Sequence, residues 1–201
     1  MQTPVLLRAA TPDYDEGLVF ARYMDQAAEG FFRFLLGRRA ESVMATAFLK
    51  PRHALSYEHV TFAERDGELV GMTSAYTGIQ LRGFDKRPLE QVADRPVWRL
   101  RCLRVVLTPV FRILDTVADE ELYLQGIAVD PRLRGEGIGS FMLDHIEQVA
   151  RASGSSRLCL DVASGNAGGR RLYARRGFVE TTQWPAIGFV PPLFIRMTKE
   201  L

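Results

Sequence analysis

The chain has 201 residues, 47% of them hydrophobic and 25% charged, with 26 Lys and Arg against 24 Asp and Glu. That length and balance predict one well-filled domain over residues 1–201, and a net charge of +2 is too small to point to a nucleic-acid partner. The first residues lack an apolar stretch of signal-peptide length and no uncharged run approaches a bilayer span, so a cytoplasmic protein with no membrane partner is expected.

Val5 to Ala10 reads as a short strand. Thr11, Pro12 and Asp13 then supply a capping hydroxyl, a proline at the first helical position and an early acid. A helix is predicted from there through Leu18, Val19, Ala21, Tyr23 and Met24 to Gly30. A second helical stretch runs from Phe31 to about Leu49 with a break near Gly37, and Phe31, Phe32 and Phe34 are expected in the core, where aromatic area is commonly buried. Residues 58–65 and 68–76 are β-prone runs on either side of Asp66-Gly67, a strong signal for an antiparallel hairpin.

Pro88, Pro96 and Pro109 divide residues 81–119. Helical spacing over 97–107, and a cap at Thr108 with Pro109 after it, predict an inserted helical pair ending near Val117. Arg101, Arg104 and Arg112 fall opposite Trp98, Val105, Val106 and Phe111, the pattern of a solvated face over an apolar underside that covers the sheet. A lid over a substrate site or a homodimer surface are the alternatives.

Residues 122–130 form an apolar run that ends at Asp130-Pro131. Gly135, Gly137 and Gly139 then open a segment in which Ile138, Phe141, Met142, Ile146, Val149 and Ala150 recur at helical spacing. This reads as strand, glycine loop and helix. Glycines in a first helical turn cost helix stability but let a ligand reach bare N–H groups at the positive end of the macrodipole, which suits an anion, above all a phosphate. Arg132 and Arg134 add formal charge. Residues 157–162 then read as a strand, 166–176 as a helix, and 178–182 and 193–199 as strands. Cys102 and Cys159 have no His or Cys at metal-ligand spacing, so buried free thiols and no metal site are expected. His53, His59 and His145 stand far apart and read as structural.

The loop spacing lacks the third gap of a dinucleotide fingerprint, and no Gly-Lys-Ser/Thr follows, which disfavours a nucleotide-phosphate binder. Arg134-Gly-Glu-Gly137-Ile-Gly139, preceded by Ile127-Ala-Val129, resembles the coenzyme A loop of the GNAT superfamily of N-acetyltransferases. Residues 166–178 are similar to that superfamily's downstream motif, in which an Asn opens a helix, a Tyr follows two turns later and Gly-Phe leads into a strand. The resemblance is close over 120–180, looser over 1–80 and absent from 81–119.

The resemblance implies a mixed α/β (α+β) fold, with a central mixed, largely antiparallel sheet flanked by helices and a helical insertion ahead of the glycine-loop strand. It implies acetyl-CoA as co-substrate and direct acetyl transfer to a primary amine of a small molecule or peptide. The region up to about residue 49 would form one wall of the acceptor site. By the same resemblance Arg132, Arg134, Gly135, Glu136, Gly137, Ile138, Gly139 and Ser140 would hold the pyrophosphate. The edge at Ile127, Ala128 and Val129 would pair with pantetheine, and Asn166 and Tyr173 would complete the cofactor set. Tyr173 is then the proton donor for the departing thiolate, since a phenol with a pKa of ~10 keeps its proton at neutral pH.

The base is less defined. Period-two alternation puts Glu121, Tyr123, Gln125, Ile127 and Val129 on one face, where Glu121 could act through a water ordered by Tyr123 and Gln125. Glu120 and Glu121 as solvent-facing ends of the strand is the alternative. A non-catalytic acyl-CoA-binding module would keep the glycine loop and lose the proton chemistry, and Tyr173 favours the enzyme.

Overall fold

The computed structural model describes residues 3–85, 88–89, 116–185 and 191–201. Along them run β1 (Leu6–Ala9), α1 (Tyr14–Ala27), α2 (Phe31–Leu36), α3 (Ala40–Phe48), β2 (Val60–Arg65), β3 (Glu68–Thr77) and α4 (Gly78–Arg82). Then follow β4 (Glu121–Val129), α5 (Ile138–Ala152), β5 (Arg157–Ala163), α6 (Ala167–Arg175), β6 (Val179–Trp184) and β7 (Phe194–Glu200). Most of the helix pair predicted within 81–119, including the arginine face and Cys102, lies outside the described residues.

The strands form a mixed sheet in the order β1-β2-β3-β4-β5-β7-β6, antiparallel at every contact except β4 with β5. Asp66 and Gly67 both take positive φ, 54° and 78°, which is what a two-residue hairpin turn demands. On one face α5 packs Leu143, Ile146 and Ala150 against Leu122, Leu124, Leu158 and Leu160. On the other, Phe20 and Met24 of α1 and Met44 and Phe48 of α3 meet Phe62 and Met72. Fully burying side chains of this size contributes about 1.5–3 kcal/mol each, so the two helical layers hold the sheet from both sides.

Several sequence expectations are corrected. Helix α1 is capped by Asp13, whose carboxylate accepts from the N–H groups of Asp15 (2.9 Å) and Glu16 (3.1 Å), and Thr11 lies outside it. A carboxylate is the better cap because it answers both the orphan N–H groups and the positive helix end. Phe34 is 62% exposed, and Phe141 is 44% exposed while Leu143 takes the buried place on α5. Residues 78–82 form a short helix that the pattern did not announce, fixed by a capping box between Thr77 and Gln80.

The alternation along β4 also breaks. The pairing with β3 shifts between Ser74 and Ala75, so that Ser74 faces Gly126, Ala75 faces Leu124, and Gln125 is an extra residue. A bulge flips every later side chain relative to a strict period of two. Ile127 and Val129 therefore pack with Ile138 and Met142 on the α5 side, whereas Tyr123 packs with Tyr76 and Cys159 on the opposite face. Glu121, Tyr123, Gln125, Ile127 and Val129 do not share one face.

Candidate active site

Strands β4 and β5 run in register from Glu121 opposite Arg157 to Leu124 opposite Leu160, then part. β4 continues to Val129 and β5 to Ala163, and between them opens a cleft of about 580 Å³. The bulge at Gln125 sits where the strands separate, and a bulge bends its strand. Gly126 lets α1 close on this bend, since a Cβ there would stand 3.1 Å from Met24 Sδ.

The backbone of β4 offers a free edge to the cleft. Asp130 N–H donates to Val70 O at 2.9 Å, and in an antiparallel ladder alternate residues bond the same neighbour, so Ala128 and Asp130 face β3. Ile127 and Val129 consequently direct their N–H and C=O groups away from β3. Gln26 of α1, which also lines the cleft, donates its side-chain N–H to Val129 O at 3.0 Å.

The glycine loop closes one end. Gly135 (φ 87°) and Gly137 (φ 89°) take a left-handed conformation that favours glycine, and a Cβ at either would meet nothing within 4 Å. The first helical N–H of α5 to find a carbonyl is that of Phe141, on Gly137 O at 3.0 Å, and among the described residues no side chain caps the helix. Ile138, Gly139 and Ser140 thus present N–H groups without helical partners, at the positive end of a 15-residue helix, into the cleft they line. Arg134 lines it too. Arg132 and Glu136 do not. Arg132 grips Asp130 through Nη2 at 2.7 Å and Nε at 3.1 Å, which holds the Asp130 carboxyl down at about 2.

The far wall is α6. Asn166 caps it, its Oδ1 accepting from Gly169 N–H at 2.8 Å, and both residues line the cleft. Tyr173 stands two turns on, its ring 5.7 Å from that of Phe178, and burial pushes its phenol up to about 12. Arg175 adds a second cleft-lining guanidinium.

Of the base candidates, Gln125 reaches the cleft and accepts from Ser74 Oγ at 3.0 Å. Glu121 stands outside it. Buried rather than solvent-facing, it accepts from Ala118 N–H (2.9 Å) and from Arg157 Nη1 (3.1 Å) at the root of β4. Tyr123 is also buried away from the cleft lining, and its hydroxyl donates to Asp161 Oδ2 at 3.1 Å.

Asp161 itself lines the cleft, and the sequence reading did not single it out. Arg196 grips it through Nη2 on Oδ2 at 2.7 Å and Nε on Oδ1 at 3.0 Å. The available signal was a charge of each sign in the middle of an apolar strand, Asp161 between Leu160 and Val162 and Arg196 between Ile195 and Met197. Gln26, Ala27 and Arg175 likewise reach the cleft without a motif to mark them. The three described histidines lie outside the lining. His53 bonds Ala47 O at 3.0 Å and accepts from Leu55 N–H at 3.1 Å, both backbone groups.

The model of the acetyltransferase (GNAT) family matches residues 21–178. Over 72 residues the chain is 38% identical to the ribosomal protein bS18-alanine N-acetyltransferase of Escherichia coli (strain K12), a match covering 36% of this chain and 48% of that one, so the chain spans about half the length of this curated relative. A crystal structure of an acetyltransferase shares 28% identity with a TM-score of 0.62 over 97% of this chain and 98% of the other. The N-acetyltransferase of Staphylococcus aureus Mu50 shares the fold at 17% identity, with a TM-score of 0.67 over 96% and 99% of the two chains.

Proposed function

The chain belongs to the acetyltransferase (GNAT) family, and from that premise we propose that it transfers an acetyl group from acetyl-CoA to a primary amine of a small molecule or peptide. One observation carries the reading: a stretch of β4 that has parted from β5, helix N–H groups without helical partners and the Tyr173 residue all line a single cleft. The relative named for the alanine of a ribosomal protein supports a peptide amine as an acceptor class.

Acetyl-CoA would supply a thioester electrophile and a thiolate leaving group. The N–H groups at 138–140, with Arg134, would hold its pyrophosphate. The edge at Ile127 and Val129 would pair with its amides as an added strand does, and an N–H there would polarise the thioester carbonyl. Tyr173 keeps its proton at neutral pH. Pushed up to about 12, it is a weaker acid than a free thiol at ~8.5, so it stabilises the departing sulfur by donating a hydrogen bond, and the proton released by the amine completes the balance. Both oxygens of Asp161 are engaged, so the acceptor amine would attack from its neutral fraction.

That engagement of Asp161 favours the second reading, a non-catalytic acyl-CoA-binding module. Calorimetric titration with CoA and thiol release from acetyl-CoA across a panel of amines and peptides separate the two. Binding with turnover supports the enzyme; binding without turnover on any acceptor supports the module; no binding removes both.

A further inference from the structure

Glu136 is a carboxylate in the middle of a loop built for an anion. It stands between Gly135 and Gly137, whose backbones line the cleft, yet Glu136 itself does not. Its Oε2 lies 2.7 Å from Nη1 of Arg65, the last residue of β2, 71 positions earlier in the chain. The Arg65 side chain is only 14% exposed, while Glu136, its side chain 28% exposed, stands at the surface of the loop. Among the described residues Arg65 Nε is buried without a hydrogen-bond partner, so this guanidinium meets Glu136 through one end only. The Arg65 end of the pair is anchored: β2 lies between β1 and β3, and the Asp66-Gly67 turn follows at once.

We propose that Arg65 is a positioning residue for cofactor binding: it holds the Glu136 carboxylate on the outer side of the glycine loop, leaving the inner side to the N–H groups and Arg134. The proposal rests on the coenzyme A reading above. A phosphate seated on 138–140 would lie within a few residues of Glu136, close enough for an unrestrained carboxylate to repel it at low ionic strength, and at this solvent-facing position added salt screens the repulsion. Arg65 removes that repulsion in two ways, by neutralising the charge and by fixing where it points. The device also joins the hairpin to the loop, so the position of β2 sets the charge presented to the cofactor.

The test is a double-mutant cycle read by calorimetric Kd for CoA, with thermal unfolding as a check on the fold. Arg65→Gln should weaken CoA binding on the order of tenfold at low salt, a deficit that shrinks as ionic strength rises. Glu136→Gln should bind CoA at least as tightly as the parent. Arg65→Gln with Glu136→Gln should recover most of the loss, because no carboxylate remains to be held. Glu136→Asp keeps the charge on a side chain one methylene shorter, which loosens the 2.7 Å contact with Arg65, and should weaken CoA binding in the same direction as Arg65→Gln. An Arg65→Gln protein that binds like the parent overturns the proposal. So does a double variant as weak as Arg65→Gln, which would mean that Arg65 acts on the phosphates itself. A parent that fails to bind CoA removes the functional reading and this proposal with it.

Discussion

Asp161 and Arg196 face each other across β5 and β7 with a bidentate contact, and their side chains are only 6% and 7% exposed. The Tyr123 hydroxyl donates to the same carboxylate, and the Arg196 guanidinium lies 5.8 Å from the centre of the Tyr123 ring. A positive and a negative group are thus buried together beside the point where β4 and β5 part. Removing one member of a buried pair is far more costly than exchanging both for apolar residues. Asp161→Asn keeps the volume and removes the charge, so we expect a loss of about 3 kcal/mol or more in urea unfolding. A midpoint within error of the parent would show that the pair contributes little.

For the loop, Gly137→Val should leave a folded protein that no longer retains CoA. Its Cβ would enter open space, so nothing in the core is displaced. The branched side chain would instead stand over the N–H groups at 138–140, in a backbone conformation (φ 89°) that costs an L-residue about 1–2 kcal/mol. Calorimetry with CoA checks it, and unchanged affinity in a folded variant would remove the phosphate assignment.

Strand, loop and helix around residues 122–150 were legible because glycine and proline punctuate the chain and the apolar spacing changes from one period to the other. What could not be read was the single extra residue at Gln125. Gly126 inside an apolar run is the kind of residue that marks a bulge or a close backbone approach, but it does not say which residue is the extra one, and the bulge reverses the side on which Ile127 and Val129 pack. The placing of Glu121 escaped for a different reason. Its partners are a backbone N–H and Arg157, brought beside it only by the parallel pairing of β4 with β5. Asp161 and Arg196, 35 residues apart, are likewise joined only by the sheet.

Asn166 can be tested as a helix cap separately from any contact with cofactor. Its Oδ1 accepts from Gly169 N–H, so Asn166→Ala should cost about 1 kcal/mol, visible as a lower melting temperature. Asn166→Asp preserves the acceptor and should restore that loss. If the cap is all that Asn166 contributes, CoA affinity measured well below the melting temperature will be the same in parent and Asn166→Ala; a tenfold weaker Kd would make the residue a ligand as well.

Tyr173 decides between enzyme and binder, and its burial adds a pH signature. Tyr173→Phe keeps the ring packed on Phe178 and removes only the hydroxyl, so CoA affinity should survive. If the hydroxyl stabilises the departing sulfur, kcat should fall ~10²-fold or more, with little change in KM, because the contact is made chiefly in the transition state. In the parent, kcat/KM should rise with pH as the acceptor amine loses its proton. Because burial holds the phenol at about 12, Tyr173 stays protonated throughout that rise, and no descending limb from its ionisation should appear below about pH 11. An ordinary phenol would bring that limb in near pH ~10. A Tyr173→Phe variant that turns over like the parent would show that the departing sulfur is stabilised by another group.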